Sequence, residues 1–169
     1  STQQTAFTFV SQLRSWLPRE IGGVLWFGND DANMVAYTPV YCGNTTQPTC
    51  YNTKGADAVT FSSDNAFWLC NMVSNMVYPR YSQLFPELKA VRDSLETSYF
   101  ASQTSIEKQA ADLYQTDKAA ALKLLNSYSN AKADEMLANW KRLATRIIVK
   151  YNDMAVKKEK DGKLLQSVT

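Results

Sequence analysis

The stretch Phe9-Val10-Ser11-Gln12-Leu13-Arg14-Ser15-Trp16-Leu17-Pro18 decides the fold class, together with Ile21-Gly22-Gly23-Val24-Leu25-Trp26-Phe27 and Met34-Val35-Ala36-Tyr37-Thr38-Pro39-Val40-Tyr41 close behind it. Aromatic and β-branched residues crowd each run. Turn formers bound them: Pro18 after the first, Gly28-Asn29-Asp30-Asp31 after the second and Gly43-Asn44 after the third. The runs predict strands over 5–13, 22–27 and 34–41. Connections of about five to eight residues are too short for a parallel crossover, which needs roughly a dozen, so an antiparallel meander follows. Val24 to Phe27 are apolar in succession, which predicts a strand covered on both faces within a larger sheet. Three strands are too few to supply that interior.

After Ser63 the apolar spacing becomes helical. Asp64 is placed to cap a helix through about Tyr78, with Leu69, Met72, Val73, Met76 and Val77 on one face. Asn71 and Asn75 share another face, either as cleft donors or as a polar stripe tying the helix to the sheet. Pro79 ends this helix, and Pro86 suits the start of a second carrying Leu88, Val91, Leu95 and Tyr99. Thr104 and Glu107 have the spacing of a capping box and predict a third helix; Asp117 opens a fourth through Tyr128. The stripe Ala133, Met136, Leu137, Trp140, Leu143, Ala144, Ile147, Ile148 and Tyr151 predicts a fifth over 131–152. The charged run from Lys157 to Lys163 leaves 155–169 as a peripheral tail in which Leu164-Leu165 could form an edge strand. The expected class is α+β: strands over 1–63, about five helices over 64–154 and the tail, in a single unit without linker or repeat.

At 169 residues, 45% hydrophobic and 12% aromatic, the chain can bury a substantial core. A formal charge of +2, from 18 basic and 16 acidic residues, gives little support to nucleic-acid or anionic-membrane binding. No apolar run approaches the ~18 residues of a membrane span. Histidine is absent, which removes Ser-His-Asp, Cys-His and His-based metal chemistry together. No metal or cofactor is expected. Gly22-Gly23 reads as a close-packing position, and Asn29-Asp30-Asp31 as a solvated turn, because the residues that would complete a calcium loop do not follow. Asn44-Thr45-Thr46 has the form of a glycosylation sequon. Cys42 and Cys50 flank a turn-rich loop and could bridge, with ~2.5 kcal/mol of stabilisation; spacing equally allows two free thiols. A bridge implies a periplasmic or extracellular setting, free thiols a cytoplasmic one. Cys70 reads as a small buried hydrophobe, and Trp16, Trp26 and Trp68 as core or cleft wall.

One catalytic route needs no histidine: an N-terminal nucleophile whose own amine is the base. Ser1 opens this chain, but the polar Thr2-Gln3-Gln4 that follows offers no strand to clamp it. Phe9 to Pro18, Ile21 to Phe27 and Thr38 to Gly43 instead resemble the later part of the N-terminal-nucleophile cysteine dipeptidases, the bacterial family of dipeptidase A. Asp64-Asn65-Ala66-Phe67-Trp68-Leu69, Tyr78-Pro79-Arg80-Tyr81 and Asn139-Trp140-Lys141 also look familial, so the resemblance covers most of the chain. It departs from many members at Gly28-Asn29-Asp30-Asp31, where a Gly-Arg-Pro type stretch is common.

The resemblance implies the later strands of an αββα sandwich and a metal-free hydrolase acting on dipeptides. A cysteine thiolate attacks the amide carbonyl, its amine relays the proton, and water releases the acyl-enzyme. The family's nucleophile lies far upstream, and none of Cys42, Cys50 or Cys70 matches it. The chain is therefore expected to be a C-terminal part, inactive alone, whose partners are a dipeptide and the N-terminal part of the same polypeptide. Arg14, the only basic group in the most specific motif, is expected to support the nucleophile or bind a substrate carboxylate. Gln12, on the same strand face, and Ser11 are weaker candidates. The rival reading is a non-enzymatic α+β module whose exposed aromatics bind a protein or peptide.

Overall fold

The computed structural model describes residues 4–52 and 55–165, so Ser1 lies outside the described residues. Strands β1 (Phe7–Leu13), β2 (Gly23–Asn29) and β3 (Thr38–Tyr41) form an antiparallel meander in the order β1-β2-β3. Phe9 lies opposite Phe27, Gln12 opposite Val24, and Val24 opposite Tyr41. A one-turn helix, α1 (Arg19–Gly22), follows Pro18 and joins β1 to β2. The third strand is half as long as its sequence predicts. Met34 to Ala36 are buried, yet the Met34 amide closes a turn to Asp31 and the Tyr37 amide donates to the Glu96 carboxylate at 3.0 Å. A side chain thus takes a donor that a neighbouring strand would otherwise need.

The period-two alternation sorts the sheet into two unlike faces. Val24, Trp26 and Tyr41 turn toward the helices and are buried, whereas Phe7, Phe9 and Leu13 on the other face are 55%, 53% and 77% exposed. The Phe7 ring stacks on Phe9 and Phe27 there. Leu25 and Phe27 on that other face of β2 are half-buried, so the strand is fully covered on one face and only partly on the other, short of the expectation from its unbroken apolar run.

Three long helices follow instead of about five: α2 (Ala66–Val77), α3 (Tyr81–Tyr114) and α4 (Lys118–Lys150). Pro79 does stop α2, in a 3-10 turn over Tyr78–Arg80. The second and third expected helices merge into α3, and the fourth and fifth into α4. From residue 87 to residue 161 the sequence contains neither Gly nor Pro, so nothing local breaks either helix. The capping box at Thr104 is not used because Glu107 points to the sheet instead, and Ser102 bonds back to the Ser98 carbonyl inside the continuing helix at 3.0 Å. Asn65, not Asp64, caps α2 by accepting from the Trp68 amide at 3.2 Å; Asp117 caps α4 as expected.

The helices α3 and α4 form an antiparallel hairpin laid across the sheet. Tyr99, Leu88, Leu125, Met136 and Trp140 fill the seam, and Leu69, Val73 and Val77 of α2 close the core. Burying each large side chain contributes ~1.5–3 kcal/mol. The tail forms a hairpin of β4 (Glu159–Lys160) and β5 (Lys163–Leu164), so the strand reaches Leu164 but not Leu165. Glu159 pairs with Arg146 at 2.5 Å and Lys150 at 3.3 Å, and the same two cations hold Glu87 on α3.

Candidate functional site

The corner where β1 turns through α1 into β2 collects the residues that the sequence motif singled out. Its geometry begins with two glycines. The Arg14 amide donates to the Gly22 carbonyl at 3.1 Å, and a Cβ on Gly22 would collide with the Arg14 carbonyl oxygen. A Cβ on Gly23 would lie 2.5 Å from the Cys42 sulfur. Only glycine lets three backbone segments approach this closely.

From that corner the Arg14 side chain runs inward to α3. Its Nη1 and Nη2 donate to the two oxygens of Glu107 at 2.5 and 2.7 Å, a bidentate pair whose side chains are only 11% and 8% exposed. Nε and Nη2 also reach the Gly22 and Ile21 carbonyls at 3.3 Å. Glu107 accepts further from the Tyr41 hydroxyl at 3.0 Å and the Gln103 amide at 2.9 Å. Burial, reinforced by the neighbouring carboxylate, pushes the Tyr41 hydroxyl far above its ordinary value and keeps it a donor. Gln12 accepts from Gln103 at 2.7 Å and from the Trp26 indole at 3.3 Å. Arg14 and Gln12 therefore meet on one face as period two predicts, and a single network joins β1, β2, β3 and α3. Ser11 points to the opposite face.

Glu107, Gln103 and Tyr41 were not legible as site residues. One signal existed: Gln103 and Glu107 continue the stripe of Tyr99 and Ala110 on the buried face of α3, where two polar residues require partners.

Beside Arg14 lies a half-open cavity of about 940 Å³, walled by Leu13, Trp16 and Leu17 and bordered by Arg19, Glu20 and Cys42. Trp16 is 77% exposed and forms cavity wall, while Trp26 is core and Trp68 is half-buried with its indole donating to the Asp57 carbonyl. Glu20 turns away to the junction of α3 and α4, where Lys118 of α4 pairs with it at 2.5 Å and Tyr114 of α3 donates at 2.9 Å. The Lys118 hydrogen bond, aided by backbone and Tyr114 donors, lowers the Glu20 carboxyl to about 2. Arg19 has no side-chain partner among the described residues.

Cys42 and Cys50 are not bridged: Cys42 is exposed and Cys50 is buried against the Ala133 carbonyl. Burial pushes the Cys50 thiol up to about 12 and the fully enclosed Cys70 thiol well above its ordinary value, so neither supplies a thiolate at neutral pH. Asn29-Asp30-Asp31 is not a solvated turn. Asp30 and Asp31 are 1% and 4% exposed, and Asp30 accepts from Asn71 at 2.9 Å and Ser74 at 2.5 Å, while Tyr78 donates to Asp31. Asn71 thus ties α2 to the sheet; Asn75 bonds back to Asn71 on the surface. In the sequon the Asn44 amide nitrogen is buried, while Thr45 and Thr46 are exposed with their backbone amides held by Asn126 at 3.0 and 2.9 Å.

The chain is thus a histidine-free mixed α/β fold whose sequence motif forms a tightly built strand–turn–strand corner. Residues 1–94 match the model of Peptidase family C69, more than half of the 169 residues, and the chain belongs to that family. It is also similar to a probable dipeptidase B of Streptococcus pyogenes serotype M1, at 22% identity over 143 residues. That alignment covers 82% of this chain and 27% of the relative, so the chain spans about a quarter of the relative's length.

Proposed function

We propose that this chain is the C-terminal part of a cysteine-type dipeptidase that hydrolyses dipeptide amide bonds through an acyl-enzyme. The membership of peptidase family C69 carries this reading, and the resemblance of Val10 to Arg14 and Gly22 to Val24 to the cysteine dipeptidases gives it its chemistry. The nucleophile belongs to another part of the polypeptide. Cys50 and Cys70 are enclosed, and the exposed Cys42 does not match the family's nucleophile. The thiolate supplied by that other part attacks the amide carbonyl, expels the amine with a proton relayed by the nucleophile's own amino group, and is released by water.

In this account the chain supplies scaffold and walls. The Arg14–Glu107 pair and Gln12 support the nucleophile from the corner, with one Arg14 Nη1 hydrogen still free to donate. The open face bearing Phe7, Phe9 and Phe27 receives the N-terminal part of the same polypeptide. The exposed rings also favour a second reading, a module that binds another protein or peptide without turnover. Assaying dipeptide hydrolysis by a longer polypeptide that carries this chain separates them: turnover supports the dipeptidase, and its absence supports the module.

A further inference from the structure

The corner cavity has an electrostatic peculiarity that Arg14 does not explain. Three charged residues line it: Arg14, Arg19 and Glu20. Arg14 is neutralised by Glu107, and four of its five N–H donors are already engaged. Glu20 is neutralised by Lys118. Arg19 alone keeps its charge uncompensated among the described residues, and it does so beside an apolar wall of Leu13, Trp16 and Leu17. A volume of about 940 Å³ exceeds what a single water or ion requires and suits a small organic molecule.

We propose that this cavity binds a small organic carboxylate with an apolar side chain, Arg19 pairing with the carboxylate while Trp16, Leu13 and Leu17 take the apolar part. Resting on the dipeptidase reading, the ligand is the C-terminal residue of the substrate or the amino acid released from it. Arg19, rather than Arg14, is then the carboxylate anchor, because a guanidinium already bound twice to a carboxylate has one donor to give. The backbone holds the anchor in place: Pro18 opens the single turn that carries Arg19, and the Ile21 and Gly22 amides both bond to the Pro18 carbonyl, at 2.9 and 2.7 Å.

The test uses the 169-residue chain, N-acetyl-L-leucine and its uncharged amide as probes, and the indole N–H of Trp16, assigned with Trp16→Phe, as the NMR reporter. N-acetyl-L-leucine should shift the Trp16 resonance saturably, with the amide about tenfold or more weaker, as expected for loss of one charge-assisted pair. Arg19→Gln should remove that preference while leaving the spectrum folded, and Arg14→Gln should retain it. Equal binding of acid and amide, an acid preference that survives Arg19→Gln, or no saturable shift of Trp16 would overturn the proposal. Dipeptide turnover by the longer polypeptide is a separate readout. Acid-selective binding without turnover removes only the dipeptidase reading, and turnover with acid-blind binding removes only the anchor.

Discussion

Removing Glu107 tests the buried network that fixes the corner. Glu107→Ala strands the Arg14 guanidinium, 11% exposed, with two carbonyls at 3.3 Å as its remaining acceptors. It also orphans the Tyr41 hydroxyl and a Gln103 donor. Breaking a buried pair from one side costs ~3–5 kcal/mol, and each orphaned donor adds ~1 kcal/mol. About 5–7 kcal/mol is therefore expected for Glu107→Ala. Arg14→Met leaves the carboxylate with two neutral donors and should cost about 3 kcal/mol. The double variant Arg14→Met/Glu107→Leu removes both charges and leaves only the neutral donors unpaired, so it should cost about 2 kcal/mol, less than either single change. Urea unfolding of the 169-residue chain followed by circular dichroism reads all three. With a slope of ~2 kcal/mol per molar, Arg14→Met should lower the midpoint by ~1.5 M and the double variant by ~1 M. Single variants costing under ~1 kcal/mol each, as at an exposed pair, or strictly additive effects, would refute the reasoning.

Gly22→Ala drives a methyl into the Arg14 carbonyl oxygen and should destabilise by ~2–3 kcal/mol in the same unfolding assay. Native-state titration with a thiol reagent should label Cys42 at once and Cys50 and Cys70 only on unfolding; no rapid labelling would indicate a Cys42–Cys50 bridge after all. The Glu20 carboxyl lies near 2 when folded, against about 4.5 otherwise, so the Glu20–Lys118 contribution is present above pH 4.5 and declines as pH falls toward 2. Melting curves of the wild type and Lys118→Met should accordingly differ at pH 6 and converge near pH 2. A constant difference across that range would contradict the assignment.

What the sequence made legible is local, and what it hid is remote. The β1-β2-β3 meander follows from alternation and turn residues within about forty positions, and the Asp117 cap from three. The helices number fewer than the capping signals predict because a capping residue does not break a helix where no Gly or Pro enforces it, and because Glu107 has a stronger partner in Arg14, 93 positions away. The same blindness turned Asp30 and Asp31 into a solvated turn, although Asn71, Ser74 and Tyr78 across α2 and its following turn supply the donors that let both carboxylates be buried. Arg14 and Gln12 were placed together correctly on one strand face. Arg19 stood out only once the partners of Arg14 and Glu20 were known.

In the proposed function this chain is part of a dipeptidase whose nucleophile lies elsewhere in the polypeptide. Hydrolysis of a free dipeptide, followed by appearance of its amino acids, compares the 169-residue chain with a longer polypeptide that contains it. Turnover is expected from the longer polypeptide, abolished by thiol alkylation, and none from the 169-residue chain. Turnover by the 169-residue chain, or alkylation-insensitive turnover by the longer one, would contradict the proposed function.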